Sequence, residues 1–563
     1  MVRATRMRLG FVVLILSLLS ALGGFGDDTK SSATDSALAA ADELYRLRKF
    51  TEAQNAYQAL LKSDPKLDSA QAGLVRSMVG RQKTDEALDT IDAALAAKPN
   101  SAILTATKGD VQFRRGEMAE AEALYHAALK LDPTEVRAHL GLSRLYGAYS
   151  LQRKAYDHIK VAHDLSPDDF AVDVAWVNML PKAQRVLAMQ SYLVSHAVAE
   201  AETKALAPYL TFLKNSADEL IHPCRLSSKT DETETKLEPV FAPRASHPRG
   251  IGLSARINEQ DVQLQLDTGA PGILVNSQFA DRAKLTRLAA APVMGFGDRG
   301  SQRGYRAVAE HIRIGDLEFE DCVVTVADTP PASRWSVPES FNLIGADVFE
   351  RYHIDIDLAG MRLKLSPLPK RPEDKVAPTS LSSGVEEQSE EGPGGMLAEQ
   401  PARDQDASAA AQTTTLPKDR YVAPDMADWT RVFRFGHMLL VPTSVNDSKP
   451  KLFLLDTGAV GSMLSVRAGR EVSKVYYEEH AHLQGMSGRV EKVYTSHSAA
   501  LRFGHLEQKN KDIVTVDLSS MSLASGTEIS GVLGYETLLL LDVKLDYRDG
   551  LVDFEYDSKA RKK

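Results

Sequence analysis

The stretch Val262-Gln263-Leu264-Gln265-Leu266-Asp267-Thr268-Gly269-Ala270 decides how this chain is read. Val262, Leu264 and Leu266 alternate with polar residues, the period of a half-buried strand. Asp267 stands where that strand ends, and Gly269 follows where a turn needs a backbone without a Cβ. An isolated Asp-Thr-Gly is ordinary turn composition. Here the five residues from Leu266 return 189 residues later as Leu455-Asp456-Thr457-Gly458-Ala459.

The sequence around the two copies repeats in register. Gly345 lies 78 residues after Asp267, and Gly534 lies 78 after Asp456. At the same offset Leu343-Ile344-Gly345 matches Val532-Leu533-Gly534, Arg313-Ile314-Gly315 matches Arg502-Phe503-Gly504, and Asp357 matches Asp546. Residues 240–369 and 429–557 therefore form a duplicated β module. Gly295-Phe296-Gly297-Asp298-Arg299-Gly300 is formally a dinucleotide fingerprint. That fingerprint needs a preceding strand and a helix opening on it. The sequence after it is extended, so a glycine-rich hairpin tip over a cleft is expected, with Gly485-Met486-Ser487-Gly488 as its counterpart. Residues 370–428 hold Gly, Pro, Ser and Glu with few large apolar side chains. Such a segment cannot offset its ordering entropy by burial, and a disordered tether is expected.

Ahead of the modules, Pro65, Pro99, Pro133 and Pro167 are each 34 residues apart, and so are Ala53, Ala87, Ala121 and Ala155. Twelve residues before each alanine stands Ala41, Val75, Gly109 or Ser143, modest enough to let two helices approach. This period resembles tetratricopeptide helical pairs and covers residues 34–167 in four units. Residues 168–222 stay helical in pattern but lose the period, as the terminal cap of a solenoid does. The concave face of such an array is expected to hold a substrate or protein partner; a spacer or folding scaffold is the plain alternative.

Each β module resembles a retropepsin-type aspartic protease domain of the group found beside helical repeats in bacterial exported proteins. The matching residues are the two Asp-Thr-Gly-Ala loops, the glycine-bearing tips and the apolar-apolar-Gly segments. The resemblance implies a helical solenoid followed by two all-β modules, each carrying half of one site. It implies that Asp267 and Asp456 share a proton and activate water, and that Thr268 and Thr457 hydrogen-bond across the pair. Gly269 and Gly458 would let backbone amides reach the carboxylates. Ile344, Gly345, Leu533 and Gly534 would buttress the loops, and the tips at Gly295, Gly297, Gly485 and Gly488 would act as flaps over an extended peptide. No metal or organic cofactor is implied. Pairing within one chain is preferred; a homodimer of two chains is the alternative. Ala346-Asp347 departs from Tyr535-Glu536, as two lobes of an asymmetric cleft do, or as lobes that have lost activity do.

Composition bounds the rest. With 43% hydrophobic residues, 25% charged residues and a net charge of −9, there is no basic footprint, so nucleic acid is not expected as a partner. Arg3, Arg6 and Arg8 precede an apolar run over residues 9–25, which reads as a signal peptide spanning residues 1–26. The run is short for a membrane span. The body is therefore expected in the periplasm or secreted, or anchored by an uncleaved N-terminal segment. Cys224 and Cys322 are either a disulfide or, for Cys322, a buried thiol. Glu478-Glu479-His480-Ala481-His482 reads as a solvated polar edge before a metal site. A non-enzymatic peptide-binding scaffold with degenerate modules is the competing functional class.

Overall fold

The computed structural model of the chain describes residues 26–181, 183–188, 214–215, 217–241, 247–293, 295, 297, 300, 302–328, 342–372, 416–481, 483–485 and 488–556. The helical array runs in antiparallel pairs: Gly26–Arg46 with Phe50–Ser63, Asp68–Gly80 with Thr84–Ala97, Ala102–Arg114 with Met118–Leu131, and Val136–Ala148 with Gln152–Leu165. Ala53, Ala87, Ala121 and Ala155 are all buried, and each periodic proline falls just beyond the second helix of its pair. At Gly109 a Cβ would sit 2.7 Å from the Tyr125 ring, so only glycine permits that approach. A further helix, Phe170–Asn178, continues the stack, its first amides capped by the Asp169 carboxylate at 2.8 and 3.1 Å. Among the described residues no helix is long and apolar enough to cross a membrane. The expected signal peptide lies, but for its last residue, outside them.

In each β module two strands run side by side in parallel beneath the Asp-Thr-Gly loop. Gln260–Asp267 pairs with Leu343–Gly345 so that Asp267 lies opposite Gly345, and Lys451–Asp456 pairs with Gly531–Gly534 so that Asp456 lies opposite Gly534. The modules then join through their closing hairpins. Tyr352–Asp357 pairs antiparallel with Leu541–Asp546, with Asp355 opposite Lys544. These two residues are equivalent in the duplication, so the join has a local two-fold. One hydrophobic core crosses it, taking in Leu266, Ile344 and Tyr352 from the first module with Leu455, Leu533 and Tyr547 from the second.

The helical array packs on the second module. Leu140, Leu142 and Tyr146 share a cluster with Leu440, Leu454 and Val532. Thr527 Oγ1 donates to the Phe113 carbonyl at 2.7 Å, and Lys449 pairs with Glu120 at 2.9 Å.

Three expected boundaries move. The first module begins before residue 240: strands Arg225–Leu226 and Thr233–Phe241 belong to it, the latter joining Pro248–Ile257 to Arg362–Pro367. Its charged, alternating side chains disguise it as a connector. The end of the expected helical cap over 168–222 also joins this module, since Glu219 pairs with Arg306 at 3.1 Å and His222 with Asp321 at 2.6 Å. Cys224 and Cys322 are bonded there. Finally, the expected disorder of 370–428 does not hold at its ends. The middle of that segment, residues 373–415, lies outside the described residues, but both flanks meet at the buried Asp549. Arg371 reaches it at 2.5 Å and Tyr421 N at 2.8 Å. A buried carboxylate needs such partners, and it finds them in the tether. Asp419 accepts from Arg153 N and Lys154 N at 3.0 and 3.2 Å, capping a helix whose own N-cap, Leu151, has no side-chain oxygen.

Candidate active site

The two strand ends deliver Asp267 and Asp456 to the seam between the modules, and two threonines close it. Thr268 Oγ1 donates to the Leu455 carbonyl and Thr457 Oγ1 to the Leu266 carbonyl, both at 2.8 Å. Each hydroxyl also accepts the opposite threonine amide, at 3.1 Å from Thr268 N and 3.0 Å from Thr457 N. Both threonines are buried, so every one of these groups would lose water without a partner if the seam opened.

The glycines after them have a steric reason. A Cβ on Gly269 would sit 2.7 Å from Asp456 Cγ, and one on Gly458 would collide with the Asp267 carboxylate. Each carboxylate thus lies over the opposite loop's backbone, and the two act on each other's ionisation. Asp267 accepts from Gly269 N at 3.0 Å; Asp456 accepts from Gly458 N at 2.9 Å and Ala459 N at 3.0 Å.

Burial pushes both carboxyls up. Asp267 rises well above the usual carboxylate range, first through burial and then through the Asp456 charge beside it. Asp456 is also raised by burial, but the Asp267 hydroxyl and the Ala459 and Gly458 amides oppose the rise. The two carboxyls therefore hold one proton between them. Two buried carboxylates cannot both ionise cheaply, so they titrate as a unit. Such a unit holds a general acid and a general base at one point.

Ile344, Gly345, Leu533 and Gly534 lie in the parallel pairings beneath the loops. Of the tips, Gly485 pairs with Gly488 at the end of a two-stranded hairpin. In the first module Val293 bridges Gln302, enclosing Gly295 and Gly297. The residues between Gly485 and Gly488, and Phe296, Asp298 and Arg299 of the other tip, lie outside the described residues. So does His482 of the acid–imidazole stretch. Among the described residues no group of three or more His, Cys, Asp or Glu side chains is placed to hold a metal.

Four neighbours of the pair carried no signal on their own in the sequence: Asp347, Glu350, Arg434 and His437. Asp347 is buried under the first loop, accepts from Gly272 N at 2.9 Å, and is pushed up to about 7 by burial. It stood in the sequence only as a mismatch with Glu536. Arg434 and His437 sit on a hairpin of the second module between strands Phe433–Phe435 and Met438–Val445. Arg434 crosses to Glu350 of the first module at 2.6 Å. His437 lies beside the Gly269 backbone, and burial pushes it down to about 4. A cross-module contact of this kind leaves no periodicity to read.

No curated protein matches the chain. Among solved structures it is similar to TTC0263, a thermophilic tetratricopeptide protein in Thermus thermophilus, at 17% identity over 31% of this chain and 99% of that one, with a TM-score of 0.26. It is similar to MamA from Desulfovibrio magneticus at 18% identity over 24% of this chain and 77% of that one, with a TM-score of 0.19. Residues 38–102, 73–136 and 106–167 match the tetratricopeptide repeat family, and residues 253–348 and 441–537 each match the aspartyl protease family. The chain joins a tetratricopeptide array to two aspartyl protease-like domains.

Proposed function

We propose that this chain is an exported aspartic endopeptidase, its site formed by Asp267 and Asp456 and its helical array docking substrates or partner proteins. One observation carries the reading: two buried carboxyls, each laid against the other's loop across a threonine-locked seam. A merely structural aspartate would cap its own loop and would not be held against a second carboxyl, where each raises the other's cost of ionisation.

The chemistry follows from that geometry. A water bound between the carboxyls gives a proton to Asp456 while its oxygen attacks the peptide carbonyl carbon. Asp267 gives its proton to the carbonyl oxygen, leaving a gem-diol. On collapse, Asp456 passes its proton to the departing nitrogen, the C–N bond breaks, and Asp267 recovers its proton from a gem-diol hydroxyl. The net change is hydrolysis, with both carboxyls restored. Every step is proton transfer by two groups in fixed positions. The buried His437 imidazole, pushed down to about 4, adds no charge beside the pair above that pH. Export rests on the basic and apolar character of residues 1–26.

The test is cleavage of a peptide library by the full chain at acidic and neutral pH, with Asp267→Asn and Asp456→Asn alongside. Loss in both variants supports the reading; cleavage surviving in both overturns it. Recovery on mixing the two variants would assign the site to two chains instead of one. A full chain that retains peptides without cutting any would favour the scaffold.

A further inference from the structure

A groove of about 510 Å³ lies between the concave face of the helical array and the hairpin tip of the second module. Its size suits a ligand of a few residues. The helices supply Val79, Phe113 and Val174 to an apolar floor, and Phe435 completes it from the hairpin.

The charges on this floor do not balance. Five arginines line the groove, Arg76, Arg114, Arg137, Arg144 and Arg434, against a single carboxylate, Asp110. Arg137 takes up Asp110 at 2.5 Å, and Arg76 faces Asp42 at 3.6 Å. Arg114 donates to the Ser522 carbonyl, a neutral acceptor; the Glu528 carboxylate that acts on its charge is itself paired with Arg467. Arg144 is exposed and meets no carboxylate among the described residues. Arg434 answers to Glu350, which belongs to the other module.

That last pair makes the groove more than a recess. Arg434 Nη2 holds Glu350, Nη1 donates to the Tyr547 carbonyl at 3.2 Å, and Nε to the Gly436 carbonyl at 3.1 Å. Near it on the hairpin, His437 lies beside the Gly269 backbone in the loop of the catalytic pair. The hairpin therefore faces the groove through Phe435 and crosses to the first module through Arg434.

We propose that this groove binds an acidic peptide segment bearing apolar side chains, and that the bound segment competes with Glu350 for Arg434. Complementary charge selects the segment and the apolar floor holds its side chains. By linkage, whatever Glu350 takes from the peptide's affinity, the peptide takes from the clamp between the modules. The binding deepens the docking role proposed for the array, and the consequence for cleavage rests on the proposed peptidase.

The probes are a fluorescein-labelled octapeptide alternating glutamate and leucine, and its lysine–leucine counterpart, read by anisotropy with the full chain. The acidic probe is expected to bind saturably and the basic one not. Gly147→Leu fills the groove from a helix where nothing lies within 4 Å of the added Cβ, and leucine favours helix over glycine. It should weaken binding at least about tenfold while leaving the fold intact. Arg144→Glu, at an exposed site, should weaken it by a similar factor. Glu350→Gln should tighten binding about fivefold, and that gain should vanish when Arg434→Gln is added. Equal binding of the basic probe, full affinity in Gly147→Leu, or no gain in Glu350→Gln would each overturn the proposal. No arm depends on cleavage, so a chain without peptidase activity still decides the matter.

Discussion

The two modules are alike where they meet and unlike everywhere else around the site. Thr268 and Thr457 exchange the same pair of bonds, and each aspartate sits opposite the same glycine of a parallel strand. Around that seam the symmetry ends. The first module buries Asp347 beneath its loop. The second sets Ser462 against Thr537 at 2.5 Å and leaves Glu536 exposed. Among the described residues, the second module carries Arg434 across to Glu350 of the first, and the helical array packs on the second. A seam that must bring two identical groups together constrains both copies equally. Once both copies share a chain, nothing holds their outer surfaces to the same constraint.

The sharpest way to break that comparison is at the carboxyls. If the modules are halves of one site, Asp267→Asn and Asp456→Asn should each lower kcat by on the order of 10⁴, whichever module is struck. Cleavage kept by one of them would make the other module the whole site. The threonines come next. Thr457→Ala removes the bond to the Leu266 carbonyl and leaves the Thr268 amide buried without its acceptor. A cost of about 2–4 kcal/mol is expected, read as a lower unfolding midpoint in denaturant. Thr268→Ala should cost the same to within about 1 kcal/mol, because it breaks the mirror set of bonds. A large inequality would mean that the seam is less symmetric than its distances.

The seam was also what the sequence showed best. A strand ending in Asp-Thr-Gly, and a glycine 78 residues on, recur because backbone pairing and close approach fix those residue types in both copies. The helical period was legible for the same reason: each pair must repeat the small contacts that let its helices pack. What was not legible is contact between parts that do not repeat. Asp419 caps a helix 266 residues before it, and Thr527 bonds Phe113 from 414 residues away. Neither residue differs in kind from a surface polar one. The strand Thr233–Phe241 was hidden by its exposed charges, and the ordered flanks of the tether by the low-complexity composition between them.

The smallest expected effect tests the asymmetry itself. Burial raises Asp347 to about 7, and Asp542 and Asp546 in the joined closing hairpins to about 7 as well. An unfolded aspartate releases its proton near 3.9. The stability these groups contribute is full below that value and is lost as pH rises through 7, because the folded chain must then ionise buried carboxyls. Burial lowers His437 and His158 to about 4, which works in the opposite sense: the unfolded imidazoles bind protons up to about 6.5, so stability from them grows until that pH. Above about 6.5 only the carboxyl slope remains, and the melting temperature should fall between about pH 6.5 and about 8.5. Asp347→Asn keeps an acceptor for Gly272 N but has no charge to bury. It should flatten that fall, raising the melting temperature at the alkaline end relative to wild type by about 2 °C. Glu536→Gln, the matching position in the second module, is exposed and should leave the slope unchanged. Melting curves that respond equally to both substitutions would mean that Asp347 is not the buried acid its surroundings make it, and that the two modules differ less beneath their loops than at their surfaces.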